Sequence, residues 1–586
     1  MLLQRLREYS ERLYLPPTLY AEAPVRYIIE LDSGGRLLNP RPTDTADPAS
    51  PRTRRGTRRL VPQVQRSSGI KPLLLADKAD YVLGFAGGGA KKERVSACHR
   101  AFLELLEHCA IQTEEPAVLA VRNFLRCDPL SQLDLDDSFD PGATMTFRVD
   151  GIFPVDLPSV QAFWAAENDP ALRSAPRMQC LICGEERPVL ERLQAKIKGV
   201  PGGQTSGTSA ISANAEAFES YGLSASLIAP TCADCGERFT RAANELLANE
   251  SNHFRLGGAA FIFWTREDVG FDFRTIITAQ KPEDVRSLLE SVRTGRRADV
   301  DDTRFYATAL SGSGGRAVVR DWIDTTVGEV KRHLSTWFAR QLIVGLWGEE
   351  PQPLGLYALA AATVRDAARE LAPPMPRALL CSALTGAPLP PGLLYQAVRR
   401  NRAEQRVTRP RAALIKLVLL GQDGNGKEDF MVQLSSDNPN PAYRCGRLLC
   451  VLETVQRLAV PGAKSTIVDR FFGTASSAPA SVFGRLLRGA QPHLAKLERD
   501  RPGAHIALQR RLEDIQSGIA ASGFPRILTL EEQGIFALGY YHQRAYDRAQ
   551  AREASERRKA GLAPAPEAEL AEGLEDTGNA GENEEN

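Results

Sequence analysis

Two Cys-x-x-Cys pairs are the residues of this chain whose type and spacing best fit a metal site. They are Cys180 with Cys183 and Cys232 with Cys235. Two such pairs can supply the four thiolates of a tetrahedral zinc ion, which would tie down the chain between them. Free buried cysteines or a disulfide are the alternatives, and His253 could replace one cysteine as a ligand. The spacing predicts a structural zinc ion on a knuckle-like insertion.

A basic, glycine-rich segment, KIKGVPGGQTSG (196–207), lies between the two pairs. Lysines and neutral hydrogen-bonding side chains on such a backbone suit phosphates and base edges. The segment offers no acid, base or activated nucleophile of an obvious kind. Its alternative role is a structural loop whose hydroxyls bond its own backbone. The predicted duplex-contacting residues are Lys196, Lys198, Gln204, Thr205, Ser206 and Asn214.

Three further groups of basic residues suit nucleic acid, because attraction to phosphate needs little geometry. The first lies on a flexible loop predicted in the polar, proline-rich segment 41–72, the second beside the glycine loop 85–89, and the third on one face of a helix predicted near 530–559. Each group could instead be a solvated surface. The predicted DNA-binding residues are Arg52, Arg54, Arg55, Arg58 and Arg59 in the first group, Lys71 and Lys78 in the second, and Arg544, Arg548 and Arg552 in the third. Tyr540 and Tyr541 are candidates for stacking on the bases of a displaced strand, although one of the two is expected in the core.

The run from Gly421 to Lys427 is the segment most similar to an enzyme motif, because it matches the first seven positions of a phosphate-binding P-loop. Glu428 stands where the motif needs a hydroxyl residue for magnesium, and its charge would repel a phosphate. The preceding run 413–420 and the residues that follow are strand-like, so the pattern predicts a hairpin turn. We therefore expect no enzymatic activity. The alternative is a zinc-dependent nuclease with an open coordination position.

The composition is that of a globular protein, with 43% hydrophobic and 25% charged residues. The net charge is +1, but the residues from Gly561 onward carry eight acidic and no basic side chains, which leaves about +9 on residues 1–560. No apolar run has the length of a transmembrane helix, and the charged N-terminal segment lacks the pattern of a signal peptide. Ten cysteines at irregular spacing fit a reducing compartment. These features predict a cytoplasmic protein with no membrane partner and a disordered acidic tail.

The periodicity of the sequence places strands mainly in the first half of the chain and helices in the second. Strand-like runs lie at 25–31, 145–155 and 261–265, and helical patterns at 92–112, 114–124, 282–294 and 317–345. We predict an α+β fold: an irregular mixed α/β N-terminal domain with a zinc-knuckle insertion, followed by a C-terminal helical bundle. The predicted domains are 1–345 for the α/β domain with its pinned loop 180–235, 346–470 for a mostly helical linking region, 471–560 for the helical bundle and 561–586 for the disordered acidic tail.

Several blocks along nearly the whole chain are similar to one known family. They are MLLQRLREY at the start, KPLLLADKADYVLG (71–84), KIKGVPGGQTSGTSAISANAEAFESYG (196–222), NPAYRCGRLLCVLETVQ (440–456), SAPASVFGRLLR (477–488) and GIFALGYYHQR (534–544). In this order they make the chain resemble the large subunit of the type I-C CRISPR interference (Cascade) complex, a Csd-type CRISPR-associated protein. The 196–222 block and the GYYHQR ending are the most specific parts of the resemblance.

The resemblance implies a non-catalytic subunit of an RNA-guided antiviral complex. Such a subunit recognises a short motif (the PAM) in double-stranded target DNA, promotes duplex opening and stabilises the R-loop, while guide RNA recognises the rest of the target by pairing. Its implied partners are the guide RNA, the backbone and guide-end-binding subunits, the small subunit and a recruited helicase-nuclease. The family does not generally carry both cysteine pairs, so zinc is predicted from spacing alone. A scaffold that binds only proteins is a third alternative.

Overall fold

The computed structural model describes residues 1–13, 17, 19–47, 55–64, 69–85, 91–168, 175–268, 272–279, 283–287, 302–422, 432–520 and 523–560. The chain divides into two compact units. The N-terminal unit comprises Met1–Lys198, Gln204–Glu245 and Gly314–Ala317, and the C-terminal unit comprises Gly199–Gly203, Leu246–Ser313 and Val318–Asn586. The predicted acidic tail lies outside the described residues, and the predicted domain boundaries stay predictions.

The N-terminal unit mixes helices and strands. Its helices are α1 (Leu2–Ser10), α2 (Ala79–Val82), α3 (Lys92–Thr113), α4 (Pro116–Arg126), α5 (Pro129–Gln132), α6 (Pro158–Glu167) and α7 (Ala233–Ala248). Its strands are β1 (Tyr20–Val25), β2 (Tyr27–Leu31), β3 (Thr43–Asp44), β4 (Thr57–Pro62), β5 (Ala76–Lys78), β6 (Thr144–Val149), β7 (Arg177–Gln179) and β8 (Glu186–Pro188). Four strands form a sheet in the order β3-β2-β6-β5, in which β2 and β6 run parallel. β1 pairs with β4, and β7 with β8, in antiparallel fashion.

The core of this unit joins the four-stranded sheet to helices α3, α4 and α6. Phe102 on α3, Phe124 on α4, Phe147 on β6 and Trp164 on α6 are buried in one apolar cluster. Burial of each such side chain stabilises the fold by about 1.5–3 kcal/mol. Pro116 opens α4 at the first helical position, where its missing N–H leaves no hydrogen bond unmade.

The C-terminal unit combines one antiparallel sheet with a large helical assembly. Its strands are β9 (His253–Leu256), β10 (Ala259–Thr265), β11 (Arg304–Ser313) and β12 (Arg316–Thr326), in the order β12-β11-β10-β9, and the first two residues of β12 belong to the N-terminal unit. Its helices are α8 (Phe273–Thr278), α9 (Val327–Gln341), α10 (Leu356–Ala361), α11 (Ala367–Glu370), α12 (Pro374–Thr385), α13 (Pro391–Glu404), α14 (Arg409–Gln422), α15 (Pro441–Ala459), α16 (Ile467–Ala475), α17 (Pro479–Asp500), α18 (Pro502–Ala520) and α19 (Leu530–Lys559).

Helix α15 is the central element of this assembly, since most of its side chains are buried and it packs against α16, α17, α18 and α19. Two glycines let α15 and α19 approach closely. A Cβ atom at Gly446 would clash with the carbonyl oxygen of Phe536, and one at Gly539 would clash with that of Tyr443. The blocks 440–456 and 534–544 of the sequence are therefore the two halves of one helix contact.

Three predicted elements are wrong. The predicted helix at 317–345 is strand β12 up to Thr326, whose hydroxyl accepts a 3.3 Å hydrogen bond from the Glu329 N–H and begins α9. The predicted strand at 413–420 lies inside α14, because a continuously apolar run fits a helix buried on all sides as well as a strand. The segment 41–72 contains strand β4 where a loop was predicted.

Other expectations are confirmed or fall outside the described residues. The mixed α/β class is confirmed, as are the long helices at 92–113 and 530–559. The hairpin turn after Gly421 and most of the helix predicted at 282–294 lie outside the described residues. Within the described part of the chain, no helix is long and apolar enough to cross a bilayer.

Candidate metal centre and nucleic-acid interface

The four cysteines of the two pairs lie together in the N-terminal unit. Their Sγ atoms are all within 4.8 Å of one another, and Cys180, Cys232 and Cys235 are buried while Cys183 is half-buried. None of them is in a disulfide. Zn–S bonds of about 2.3 Å place tetrahedral sulfurs about 3.8 Å apart, so small side-chain shifts would fit this cluster to one ion. The predicted clustering of the four cysteines is confirmed.

The first pair lies in a tight turn that joins β7 to β8. The N–H of Gly184 donates to the carbonyl oxygen of Cys180 at 2.8 Å, and the N–H of Cys180 donates to that of Glu185 at 2.9 Å. Gly184 has a φ of +78°, which a side chain would disfavour. The turn directs both thiols of this pair to the same place.

The second pair lies at the start of α7. Cys235 is in the first turn of the helix, and the N–H of Cys232 points at the sulfur of Cys180 at 3.4 Å. The N-terminus of a helix favours negative charge, and hence thiolates. Cys232 also bridges to Val189, next to the end of β8. A hairpin and a helix are thus joined at the cysteine cluster.

The thiols form hydrogen bonds with one another. A hydrogen bond with Cys235 lowers the pKa of Cys232 to about 5, and hydrogen bonds with Cys180 and Cys183 act in the same direction against burial. The same bond raises the pKa of Cys235. Four sulfur atoms gathered in a largely buried place are a donor set for a soft cation. Among the described residues, the group contains cysteines alone, and Nδ1 of the alternative ligand His253 lies 2.9 Å from the carbonyl oxygen of Asn249.

Helix α7 also fixes the start of the basic loop. The side-chain oxygen of Asn244 accepts a 2.7 Å hydrogen bond from the N–H of Lys198, and its amide nitrogen donates to the carbonyl oxygen of Lys196 at 3.1 Å. Ile197 and Thr208 exchange two backbone hydrogen bonds of 2.8 and 2.7 Å across the loop. The two lysines are therefore held by the helix that carries Cys235.

These lysines line a cleft of about 790 Å³ in the N-terminal unit. Ser206 lines it as well, so three of the six predicted duplex-contacting residues come together. The cleft also contains Arg187 from β8 and Arg241 from α7, which the sequence analysis missed. No local pattern singles out these arginines, because only the folding of the hairpin against the helix brings them to the loop.

The cleft contains two carboxylates that compensate part of this positive charge. Glu237 forms an ion pair with Arg241, and burial raises the pKa of this carboxyl although Arg241 acts in the opposite direction. Arg241 also donates to the carbonyl oxygen of Tyr20 at 2.9 Å, which fixes the guanidinium. Asp234 pairs with Arg238 at 2.8 Å. Leu19, Tyr20, Leu190 and Leu193 give the same cleft apolar walls.

Lys71 lines a second cleft of about 500 Å³ that continues the first. The two share four lining residues, Leu19, Val64, Asn168 and Gln194. The structure thus connects Lys71 to the loop lysines, which the sequence analysis treated as a separate site. Lys78 is exposed at the end of β5 and lines neither cleft. Gln204, Thr205 and Asn214 are exposed and do not line the first cleft.

The first arginine group is only partly described, because Arg52 and Arg54 lie outside the described residues. Arg55 is exposed, whereas Arg58 and Arg59 lie on β4 and not on flexible chain. Arg59 pairs with Asp156 at 2.7 Å, and its guanidinium stacks 3.4 Å from the ring centre of Phe153. Arg58 contacts Glu22 at 3.4 Å.

The third group lies on α19 as predicted. Arg552 is exposed and pairs with Glu556 at 2.9 Å, Arg548 lies 4.7 Å from the ring centre of Trp347, and Arg544 is half-buried. Two arginines of this face, Arg548 and Arg552, thus contact other residues of the C-terminal unit.

The two tyrosines on α19 cannot stack on nucleic-acid bases, and that expectation is wrong. Tyr540 and Tyr541 are both buried. The hydroxyl of Tyr540 donates to Glu453 at 2.7 Å, and that of Tyr541 donates to the carbonyl oxygen of Val344 at 2.8 Å. The closeness of α15 and α19 places these rings in the core.

One family model matches nearly the whole chain. It is described as CRISPR-associated protein (Cas_Csd1), and it matches residues 2–546, which include the basic loop, both cysteine pairs and most of α19. No curated protein matches the chain.

Proposed function

The chain belongs to the family of CRISPR-associated proteins Csd1, and we propose that it is the non-catalytic large subunit of a type I-C RNA-guided antiviral complex. In this role it recognises the PAM in double-stranded DNA, promotes duplex opening, stabilises the R-loop and helps to recruit a helicase-nuclease. Its partners are the guide RNA, the backbone and guide-end-binding subunits and the small subunit. The complex works in the cytoplasm.

The convergence of basic residues in one cleft is the observation that carries this proposal. Lys196 and Lys198 lie there with Arg187 and Arg241, and Lys71 extends the row into the adjoining cleft. A row of cations with backbone fixed by Asn244 suits a nucleic-acid backbone, which binds through phosphate charge. The residues that suit base edges, Gln204 and Asn214, are exposed on the same loop.

The zinc ion has a structural role in this proposal. Cys180, Cys183, Cys232 and Cys235 would hold it, and four thiolates leave no open coordination position. A catalytic zinc usually keeps such a position for water, so the all-cysteine set supports a binding protein over a nuclease. The ion would cross-link the β7–β8 hairpin to α7 and thereby hold the loop.

The arginine row of α19 supports the R-loop part of the proposal. Arg552 is exposed, and Arg544 and Arg548 are half-buried beside it, so this face can attract a displaced single strand through charge. Neutralising the three arginines should shorten the R-loop lifetime and leave the preference for the PAM unchanged. Equal lifetimes would contradict this role.

The proposal is tested with the assembled complex and DNA targets that differ only in the flanking motif. Lys196→Ala combined with Lys198→Ala should weaken binding to all targets and make its dependence on salt shallower by about one unit per lost phosphate contact. Gln204→Ala combined with Asn214→Ala should reduce the preference for the correct motif. Lys464→Ala, which removes an exposed lysine of the C-terminal unit, is the matched control.

Two results would contradict the proposal. One is a double-lysine variant with the affinity and salt dependence of the Lys464→Ala control. The other is a Gln204, Asn214 double variant that keeps its full preference for the motif. Measurable DNA hydrolysis by the purified chain would instead favour the nuclease alternative.

A further inference from the structure

Tyr221 is the most exposed large apolar side chain of the described residues, with 99% of its surface accessible. It lies on the same loop as the predicted duplex-contacting residues, seven positions after Asn214. An aromatic ring that is not buried in the core of its own protein is suited to a contact with a partner.

The backbone holds this ring outward. Tyr221 has a φ of +55° and Gly222 a φ of +70°, and the N–H of Leu223 donates to the carbonyl oxygen of Ser220 at 2.9 Å. Two central residues with positive φ define a tight hairpin turn that normally selects asparagine or glycine. A tyrosine in this position is strained, and strain of this kind concentrates at functional sites.

A second aromatic residue of the loop is paired with an arginine. The guanidinium of Arg316 lies 4.0 Å from the ring centre of Phe218, whose side chain is 47% exposed. Arg316 is fixed through its neighbours, since Ser209 donates to Gly315 at 2.8 Å and accepts from Ala317 at 2.9 Å in backbone hydrogen bonds. The pair therefore presents a stacked ring and guanidinium at the surface of the N-terminal unit.

This pair adjoins the predicted base-contacting glutamine. The amide group of Gln204 lies over Gly315, where an added Cβ would be 3.6 Å from its Oε1. Gly315 precedes Arg316 in the chain, so Gln204, Arg316 and Phe218 belong to one continuous patch. Glu216 and Glu219 are exposed on the same loop, and their charges disfavour a phosphate backbone there. An uncharged base is not repelled by these carboxylates.

We propose that Tyr221 and the Phe218–Arg316 pair form a stacking site for an unpaired nucleic-acid base. The site rests on the proposed function and adds to it: the base is one that leaves the duplex next to the motif contacted by Gln204. Aromatic rings and guanidinium planes bind any unstacked base through its π-face, without selecting its identity. Capture of that base favours the open duplex over the closed one.

The test uses the assembled complex and two targets with the correct flanking motif. One is fully paired, and the other carries a mismatched bubble next to the motif. 2-Aminopurine in the first position after the motif of the bubble target, where it starts unpaired, reports stacking on the protein by loss of its fluorescence. Tyr221→Ala should slow R-loop formation at least about fivefold on the paired target, should leave the rate on the bubble target close to wild type, and should reduce the fluorescence loss. Phe218→Ala should act in the same direction, and Tyr221→Trp should restore the rate.

The control is Tyr357→Ala, which removes the same type of side chain from the C-terminal unit, where it is 57% exposed. The stacking site would be overturned if Tyr221→Ala and this control form the R-loop at equal rates on the paired target. If the wild-type complex still requires its motif in that case, the proposed function is unaffected. An equal slowing on paired and bubble targets would overturn the stacking site as well, because the defect would not lie in duplex opening. A wild-type complex that ignores the motif would overturn the proposed function, and the stacking site with it.

Discussion

At the scale of single residues, the cysteine cluster illustrates what local spacing can encode. A Cys-x-x-Cys turn fixes two thiols through backbone hydrogen bonds within six residues, so the sequence alone indicates that each pair acts together. The two pairs come together through the contact between the β7–β8 hairpin and α7, which is a tertiary contact that no local spacing describes.

Replacement of one zinc ligand tests the metal centre. Cys183→Ser should reduce bound zinc below one ion per chain and make the remainder removable by a chelator that leaves the wild-type ion in place, because one of four thiolates is lost. Cobalt substitution should give a four-thiolate spectrum in the wild-type protein alone. Cys127→Ser, at an exposed free cysteine, is the control and should bind zinc normally.

Two findings would contradict the metal centre. One is a wild-type protein purified without zinc that also fails to take up cobalt. The other is a Cys183→Ser variant as resistant to the chelator as Cys127→Ser.

Side chains that act through tertiary contacts could not be predicted in the same way. Arg187 and Arg241 look like ordinary surface arginines of a strand and a helix, and only the fold places them beside Lys196 and Lys198. Tyr540 was wrongly expected at the surface, because arginines follow it on the same helix. The glycine contacts of α15 and α19 bury that ring instead.

At the scale of elements, α7 links the metal centre to the basic loop. Its first turn carries Cys235, and Asn244, near its other end, bonds the backbone of Lys196 and Lys198. Asn244→Ala removes both hydrogen bonds, each worth about 1 kcal/mol, and should weaken DNA binding about tenfold by loosening the lysines. Zinc content should not change, which separates this effect from loss of the metal. Unaltered DNA affinity would show that the loop needs no support from α7.

One added methyl group should also disrupt the contact between α15 and α19. Gly539→Ala would force the helices apart at the carbonyl of Tyr443 and lower the free energy of unfolding of the C-terminal unit by about 1–3 kcal/mol. Chemical denaturation followed by circular dichroism measures this. Gly489→Ala in α17, where no atom lies within 4 Å of the added Cβ, should instead be neutral or stabilise by up to about 1 kcal/mol. Equal stability of the two variants would contradict the close helix contact.

Elements were predicted well where periodicity and end signals agree. Helix α4 begins with Pro116 and α19 with the capping box of Thr529 and Glu532, and both helices begin and end close to their predicted positions. The 413–420 run has no polar face, so its periodicity alone could not distinguish a helix from a strand, although Pro410 at the start of α14 is a helix-opening signal. Strand β12 has alternating, β-branched residues, but it was predicted as helix because the helical pattern of α9 follows it directly.

At the scale of the whole molecule, the chain distributes its proposed tasks over two units. The cysteine cluster, both clefts and the Tyr221 loop belong to the N-terminal unit, and the arginine row of α19 belongs to the C-terminal unit. The family match extends over both units, which fits one protein that combines the two tasks. The positive charge of residues 1–560 suits a nucleic-acid-binding body despite a net charge of only +1 for the whole chain.

The most direct test of the central claim is to purify the tagged chain from its native cells and to sequence the RNA that accompanies it. If the chain is a subunit of an RNA-guided complex, short RNAs of uniform length that share a repeat-derived end should be recovered with it, together with several protein partners in fixed proportions. A chain that is recovered alone and free of RNA would contradict its assignment to an RNA-guided complex.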